Sequence, residues 1–188
     1  MSTNARKWKK LGKFQDIFRS KHGQFIGRQT FKNPFNNKKE DFFFHGEGGG
    51  VRVFALTKKK KVVAIKEYQH AIDKIIFQLP TGGIKQGETL LHAAKRELVE
   101  ETGYKPTKMI YLGAGYSLPR SSPTREDFFL ALNCDKIRDQ KLELGEQIEV
   151  SELPLKEWLQ MIKNQKVPQD PSISATLRAL LYLGLVKS

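Results

Sequence analysis

Three glutamates, Glu97, Glu100 and Glu101, stand in the stretch RELVEETGY, Arg96 to Tyr104. Their spacing of i, i+3 and i+4 brings them to one side of any α-helix that contains them. Thr89, just after Gly87, is a candidate N-cap, and Gly103 is a candidate terminator, so a helix is expected between them. On a wheel of 100° per residue, Glu101 falls between Leu90 and Ala94, and Glu97 lies about 20° from Leu90. The acids therefore share the apolar stripe that should face the core. Charge runs on ordinary helices face water and pair at i,i+4. Carboxylates beside core-facing residues instead lose hydration and repel one another unless a strong counter-charge is supplied. A divalent cation supplies it, and clustered carboxylate oxygens suit hard Mg²⁺, Mn²⁺ or Ca²⁺. Arg96, just off this face, can fork onto a carboxylate and fix its direction, or simply pair with Glu100 one turn on.

The residues ahead of the helix extend this reading. LPTGGIKQGE packs Pro80, Gly82, Gly83 and Gly87 into one loop, more glycine than a tight turn needs, which lets backbone groups approach a ligand or ion. Glu88 arrives at the helix entrance, where an acid also suits the helix dipole. VRVFAL and KVVAIKEY read as strands around the exposed lysine turn TKKKKV, followed by KIIFQLP, and KMIYLGAGYSL and DFFLALN are further strand candidates. LPLKEWLQMIKNQ and DPSISATLRALLYLGLV carry helical spacing, with Pro154 and Pro171 near their starts. Upstream, Phe25 to Phe31 and Asp41 to His45 suggest an antiparallel hairpin. Leu11, Phe14, Ile17 and Phe18 have the spacing of a short basic helix, whose apolar side would pack on the protein or lie on a membrane surface. Residues 1–46 are expected to form a small β extension, and residues 47–188 the main domain.

The net charge of +13 is unevenly placed: residues 1–66 hold 17 Lys and Arg against 4 acids, whereas residues 67–188 hold 16 of each. Such a front third attracts anions, nucleotides and RNA included, and equally serves as solubilising surface. No apolar run is long enough to span a bilayer and the first residues lack a secretory signal, so a soluble cytoplasmic protein without membrane partners is expected. The single cysteine, Cys134, cannot form an internal disulfide and is expected to be a buried small hydrophobe.

Residues 82–104, GGIKQGETLLHAAKRELVEETGY, resemble the signature of the Nudix hydrolases. Gly82, Glu88, Arg96, Glu97, Leu98, Glu100, Glu101 and Gly103 fit it, and Tyr104 is aromatic where an aliphatic residue is typical. The resemblance implies the α/β class: a Nudix α/β/α sandwich on a mixed sheet, here with a small N-terminal antiparallel β extension. It also implies hydrolysis of a nucleoside diphosphate linked to a group X. By position, Glu97, Glu100 and Glu101 would bind Mg²⁺, with Mn²⁺ as the alternative, Arg96 would orient them, and Gly82 and Glu88 would support the site. IKEYQHAIDKIIFQLPTGGIKQGE is similar to the ADP-ribose and ADP-sugar pyrophosphatase branch, with Gln69 replacing an arginine, Gln78 a glutamate and Thr81 an alanine. That similarity implies a metal contact from the Thr81 carbonyl, substrate contacts from Gln69 and Pro119, and a homodimer that brings aromatics such as Trp8 or Phe31 near the base. Glu126, on the loop after the signature, is the candidate general base. The alternatives are RNA 5′-end or dinucleoside polyphosphate pyrophosphohydrolysis, and a non-catalytic nucleotide-sensing or RNA-binding module.

Overall fold

The structure is a computed structural model, and it describes residues 5–21, 23–143 and 146–186. Its strands in chain order are β1 (Lys9–Arg19), β2 (Phe25–Lys32), β3 (Lys39–Gly46), β4 (Gly50–Thr57), β5 (Lys61–Gln69), β6 (Lys74–Gln78) and β7 (Thr81–Gly83). The helix α1 (Leu90–Thr102) follows, then β8 (Tyr104–Lys105), β9 (Lys108–Gly115), β10 (Glu126–Lys136), β11 (Ile148–Pro154), α2 (Leu155–Lys163) and α3 (Asp170–Tyr182). A short 3₁₀ turn, His70–Ile72, joins β5 to β6. Two compact units result, one of residues up to Gly48 together with Tyr116–Thr124, the other of Gly49–Gly115 together with Arg125 onward.

In the first unit, β1, β2 and β3 form an antiparallel sheet in that order. The stretch expected as a short basic helix is strand β1. Leu11 pairs with Thr30 but Gln15 with Arg28, and Asp16 with Gly27 but Phe18 with Ile26, so β1 carries extra residues at two bulges. Gly12, at φ 69°, supplies the left-handed backbone at the first. These insertions turn a strand into a sequence with helix-like apolar spacing. Trp8 and Phe31 each meet Phe42 edge-on, with ring centroids 5.4 Å apart, so both belong to this unit's own aromatic cluster.

The second unit is built on an eight-stranded sheet whose central order is β11, β5, β4, β10, β8, with β6 beside β5, β7 beside β4 and β9 beside β10. It is mixed, because β10 runs parallel to β4 while the other pairings are antiparallel. Alternation along the strands separates two cores. Val51, Val53, Ala55, Val63, Phe129 and Ala131 meet Ala93, Ala94 and Leu98 of α1. Phe54, Leu56, Val62, Ala64, Phe128 and Leu130 meet Trp158 of α2 and Ala175 and Ala179 of α3. This is the expected α/β/α sandwich. Cys134 is buried in the α1-side core, and burial pushes its thiol up to about 12. Strand β11 was not foreseen: IEVSELP pairs antiparallel with β5 from Ile148↔Glu67 to Pro154↔Lys61, and its acids sit on exposed positions. No helix among the described residues is long and apolar enough to cross a membrane.

Trp158 is fully buried, and its indole N–H donates to Thr176 Oγ1 at 3.0 Å, joining α2 to α3. Trp158→Ala would leave a cavity and remove the donor to the Thr176 hydroxyl, which keeps its own bond to Ser172 O, and is expected to cost about 3–5 kcal/mol in urea unfolding.

Candidate active site

Helix α1 begins where the capping chemistry demands. Thr89 Oγ1 accepts from His92 N at 3.2 Å, and Gly103 ends the helix at φ 77° with its N–H on Val99 O. Along this helix the acids diverge. Glu101 is 4% exposed. The Glu97 side chain is 13% exposed and that of Glu100 26%, so Glu97 and Glu101 point inward and Glu100 lies nearer the rim.

The loop before the helix is fitted to these two carboxylates. A Cβ on Gly82 would collide with the Glu97 carboxyl group, so glycine is required there for the strand backbone and the acid to meet. Next to it, Thr81 N donates to Glu101 Oε2 at 2.9 Å, while its hydroxyl donates to Val51 O at 3.0 Å and pins β7 to β4. Arg96 joins the remaining acids. Its guanidinium donates to Glu88 Oε1 at 2.8 Å and Oε2 at 2.7 Å, to Glu97 Oε1 at 2.6 Å, to Glu100 Oε2 at 3.1 Å and to Gly83 O at 2.9 Å. The hydrogen bonds to Arg96 lower the Glu88 pKa to about 2.

Among the described residues, Glu101 receives no such cation. Burial raises its pKa well above the usual carboxylate value, the Thr81 N–H opposes this, and the charges of Glu97, Glu67 and Glu146 push it further up. Glu97 is also raised by burial, against the pull of Arg96. Glu67 and Glu146 were not foreseen as site residues. Glu67 shares the face of Val63 by strand alternation, and its Oε2 accepts from Gln69 Nε2 at 2.9 Å and Gln78 Nε2 at 2.6 Å. Burial and then the charge of Glu146 raise its pKa. Strand parity could have revealed Glu67; nothing local in the sequence marks Glu146. Gln78 is 1% exposed, and its Oε1 has no partner among the described residues.

Glu126 and Pro119 were also expected at the site. Glu126 follows the parity of Phe128 and Leu130, away from α1, and both its oxygens are held by Arg52, Nε to Oε2 and Nη2 to Oε1 at 3.1 Å each. Arg52 is 2% exposed and also donates to Leu79 O, Gln169 Oε1 and Ser172 Oγ, so Glu126 anchors the α3 side of the sheet. Pro119 belongs to the Tyr116–Thr124 segment of the first unit.

Among the described residues, no three His, Cys, Asp or Glu side chains converge on one ion position. The donor chemistry nevertheless fits a hard divalent cation: buried Glu101 and partly buried Glu97 have one guanidinium contact between them among the described residues. Mg²⁺ is commonly bound by one or two carboxylates, with water and substrate phosphate completing its shell.

A NUDIX domain model matches residues 46–177. The chain belongs to the NUDIX family. It is 30% identical to an ADP-ribose pyrophosphatase of Bacillus subtilis (strain 168) over 138 residues, 73% of this chain and 72% of that protein. It is 32% identical to a methanol dehydrogenase activator of Bacillus methanolicus over the same shares. An RNA pyrophosphohydrolase of Pelagibacter ubique (strain HTCC1062) is 39% identical over 75 residues, 38% of this chain and 46% of that protein. The crystal structure of an ADP compounds hydrolase superposes with a TM-score of 0.82, covering 97% of each chain at 18% identity, and so shares the fold. This NUDIX chain is accordingly an enzyme of the pyrophosphatase type.

Two outcomes are expected of this arrangement. Glu126→Gln should weaken the buried pair with Arg52 by about 1–3 kcal/mol in urea unfolding while leaving turnover within an order of magnitude. A loss of turnover near a thousandfold in a stably folded Glu126→Gln protein would restore Glu126 as a base. The second concerns pH without divalent ions. Folding raises the pKa of Glu97 and Glu101 above 4.5, so the folded state holds extra protons. Their contribution should favour folding most below that value and decline as pH rises through the raised pKa values. Unfolding midpoints measured in a chelator should show this decline, and Glu101→Gln should flatten it.

Proposed function

We propose that the enzyme hydrolyses the pyrophosphate bond of a nucleoside diphosphate linked to X in a Mg²⁺-dependent reaction, with ADP-ribose or a related ADP-sugar as substrate. Water and ADP-ribose would give AMP and ribose 5-phosphate. The observation that carries this reading is the burial of Glu101 beside Glu97 with no side-chain cation of its own among the described residues. The ADP-ribose assignment rests on the Bacillus subtilis relative, whose similarity spans most of both chains. The RNA pyrophosphohydrolase relative matches a much shorter part, which makes RNA 5′ ends the second choice.

In this reading Glu97 and Glu101 hold the cation, with Glu100 and the Thr81 carbonyl at its edge and Mn²⁺ as a substitute. When bound, such an ion neutralises phosphate charge and acidifies water. Arg96 keeps Glu97 and Glu100 oriented and ties them to Glu88. Gly82 keeps the strand backbone low enough for Glu97 to reach its position. Glu146 replaces Glu126 as the candidate to take a proton from the attacking water, because it bears electrostatically on both Glu101 and Glu67. Gln69 acts through Glu67 instead of reaching substrate directly. Pro119 is retained as a substrate contact, and homodimerisation through the N-terminal sheet as the assembly. A single-chain mass in light scattering would exclude that dimer.

The deciding experiment is a panel of ADP-ribose, other ADP-sugars, NADH, dinucleoside polyphosphates and capped RNA with Mg²⁺, scored for released AMP or phosphate. ADP-ribose should turn over fastest, and Glu101→Gln should lower kcat by roughly a hundredfold or more. Near-normal turnover by that variant would remove the metal assignment. Tight binding of a nucleotide with no product from any compound would favour a sensor.

A further inference from the structure

We infer that Gln140 is a positioning residue that sets the register between the Glu101 helix and the segment carrying Glu146; this rests on the roles proposed above for those two acids. The end of a helix leaves its last carbonyls without intrahelical partners. At the end of α1 these are met by the chain after β10. Lys141 N donates to Glu100 O at 2.8 Å, and Ile137 N donates to Gly103 O at 2.9 Å. Gly103 permits this docking, because a Cβ there would strike Arg138 O. Between these two backbone bonds, the Gln140 amide donates to Glu101 O at 2.6 Å and to Ile148 O at 3.0 Å.

The identity of those two acceptors matters. Glu101 is the buried acid itself. Ile148 lies two residues beyond Glu146 and is the register partner of Glu67 on β5. One side-chain amide therefore links the backbones that carry Glu101, Glu146 and Glu67, the three acids whose charges act on one another. Both of its hydrogens are engaged, so a side chain with no donor cannot reproduce the link, whatever its size. Among the described residues, two further bonds shape the turn itself, Glu146 N donating to Glu143 O at 3.1 Å and Glu143 N to Glu146 Oε2 at 2.7 Å, and an exposed pair of Glu143 with Lys85 at 3.6 Å reaches the loop ahead of α1.

The link predicts a catalytic effect greater than a stability effect. Gln140 lines a cavity of about 410 Å³ with Thr102, Tyr104, Val150 and Glu152, so side chains of similar or slightly greater length can be accommodated. Gln140→Met and Gln140→Glu keep the length and remove the donors; Gln140→Lys restores a donor able to serve both carbonyls. The first two should lower kcat roughly tenfold or more with KM within about twofold, because a displaced acid affects the transition state more than binding. They should also weaken Mn²⁺ binding severalfold in calorimetry and speed amide exchange at 146–148. Gln140→Lys should recover most of kcat and of Mn²⁺ affinity.

The inference is overturned if Gln140→Met and Gln140→Glu keep wild-type kcat, or if they lose kcat only in step with their unfolding midpoints and Gln140→Lys does no better. The series is run on whichever pyrophosphate the wild-type enzyme cleaves. A wild type that ignores ADP-ribose but cleaves another compound therefore removes the substrate assignment alone. If Glu101→Gln keeps full Mn²⁺ affinity while the donor-free Gln140 variants still lose kcat and Gln140→Lys recovers it, the metal reading fails and the linking role stands.

Discussion

The catalytic half of this protein depends on keeping two carboxylates, Glu97 and Glu101, against the interior instead of in water. Removing ionised carboxylates from water is costly, and the structure limits that cost by local fitting. Gly82 gives Glu97 the space that any side chain would occupy, and the Thr81 N–H meets one oxygen of Glu101. β7, a strand of three residues, thus serves both acids. Its own position is secured by pairing with β4 and by the Thr81 hydroxyl on Val51 O.

Alternation along the central strands keeps this chemistry separate from the scaffold. The face toward α1 receives Glu67 near Glu101. The opposite face receives Arg52 and Glu126, a buried charge pair that joins β4 and β10 to Gln169 and Ser172 at the start of α3. A parallel pairing between β4 and β10 sets Glu126 beside Gly50 and Phe128 beside Arg52. Arg52 can therefore satisfy a scaffold carboxylate without drawing on the acids of α1. Arg96 has the complementary role, collecting Glu88, Glu97 and Glu100 but not Glu101.

Much of the signature helix was legible in advance because its information is local. Thr89, Gly103 and the i, i+3, i+4 glutamates act over one or two turns, and the lysine turn between β4 and β5 has the same character. β1 misled for the opposite reason: its bulges are defined only by pairing with β2, and without that partner the apolar spacing resembles a helix. Glu126 was the candidate base because it is an acid that follows the signature in sequence, and it proves to begin strand β10. Its partner Arg52 is 74 residues away in sequence, so the commitment of both its oxygens could not be read locally.

By itself, the sequence determined the helix, its caps, the glycine-rich approach and the burial of acids that calls for a divalent ion, since each follows from residue type and short-range periodicity. Only the tertiary structure decided which other carboxylates join them. Glu67 and Glu146 come near Glu101 through the β5–β11 pairing and the return of the chain across the end of α1, contacts between distant segments that no local pattern encodes.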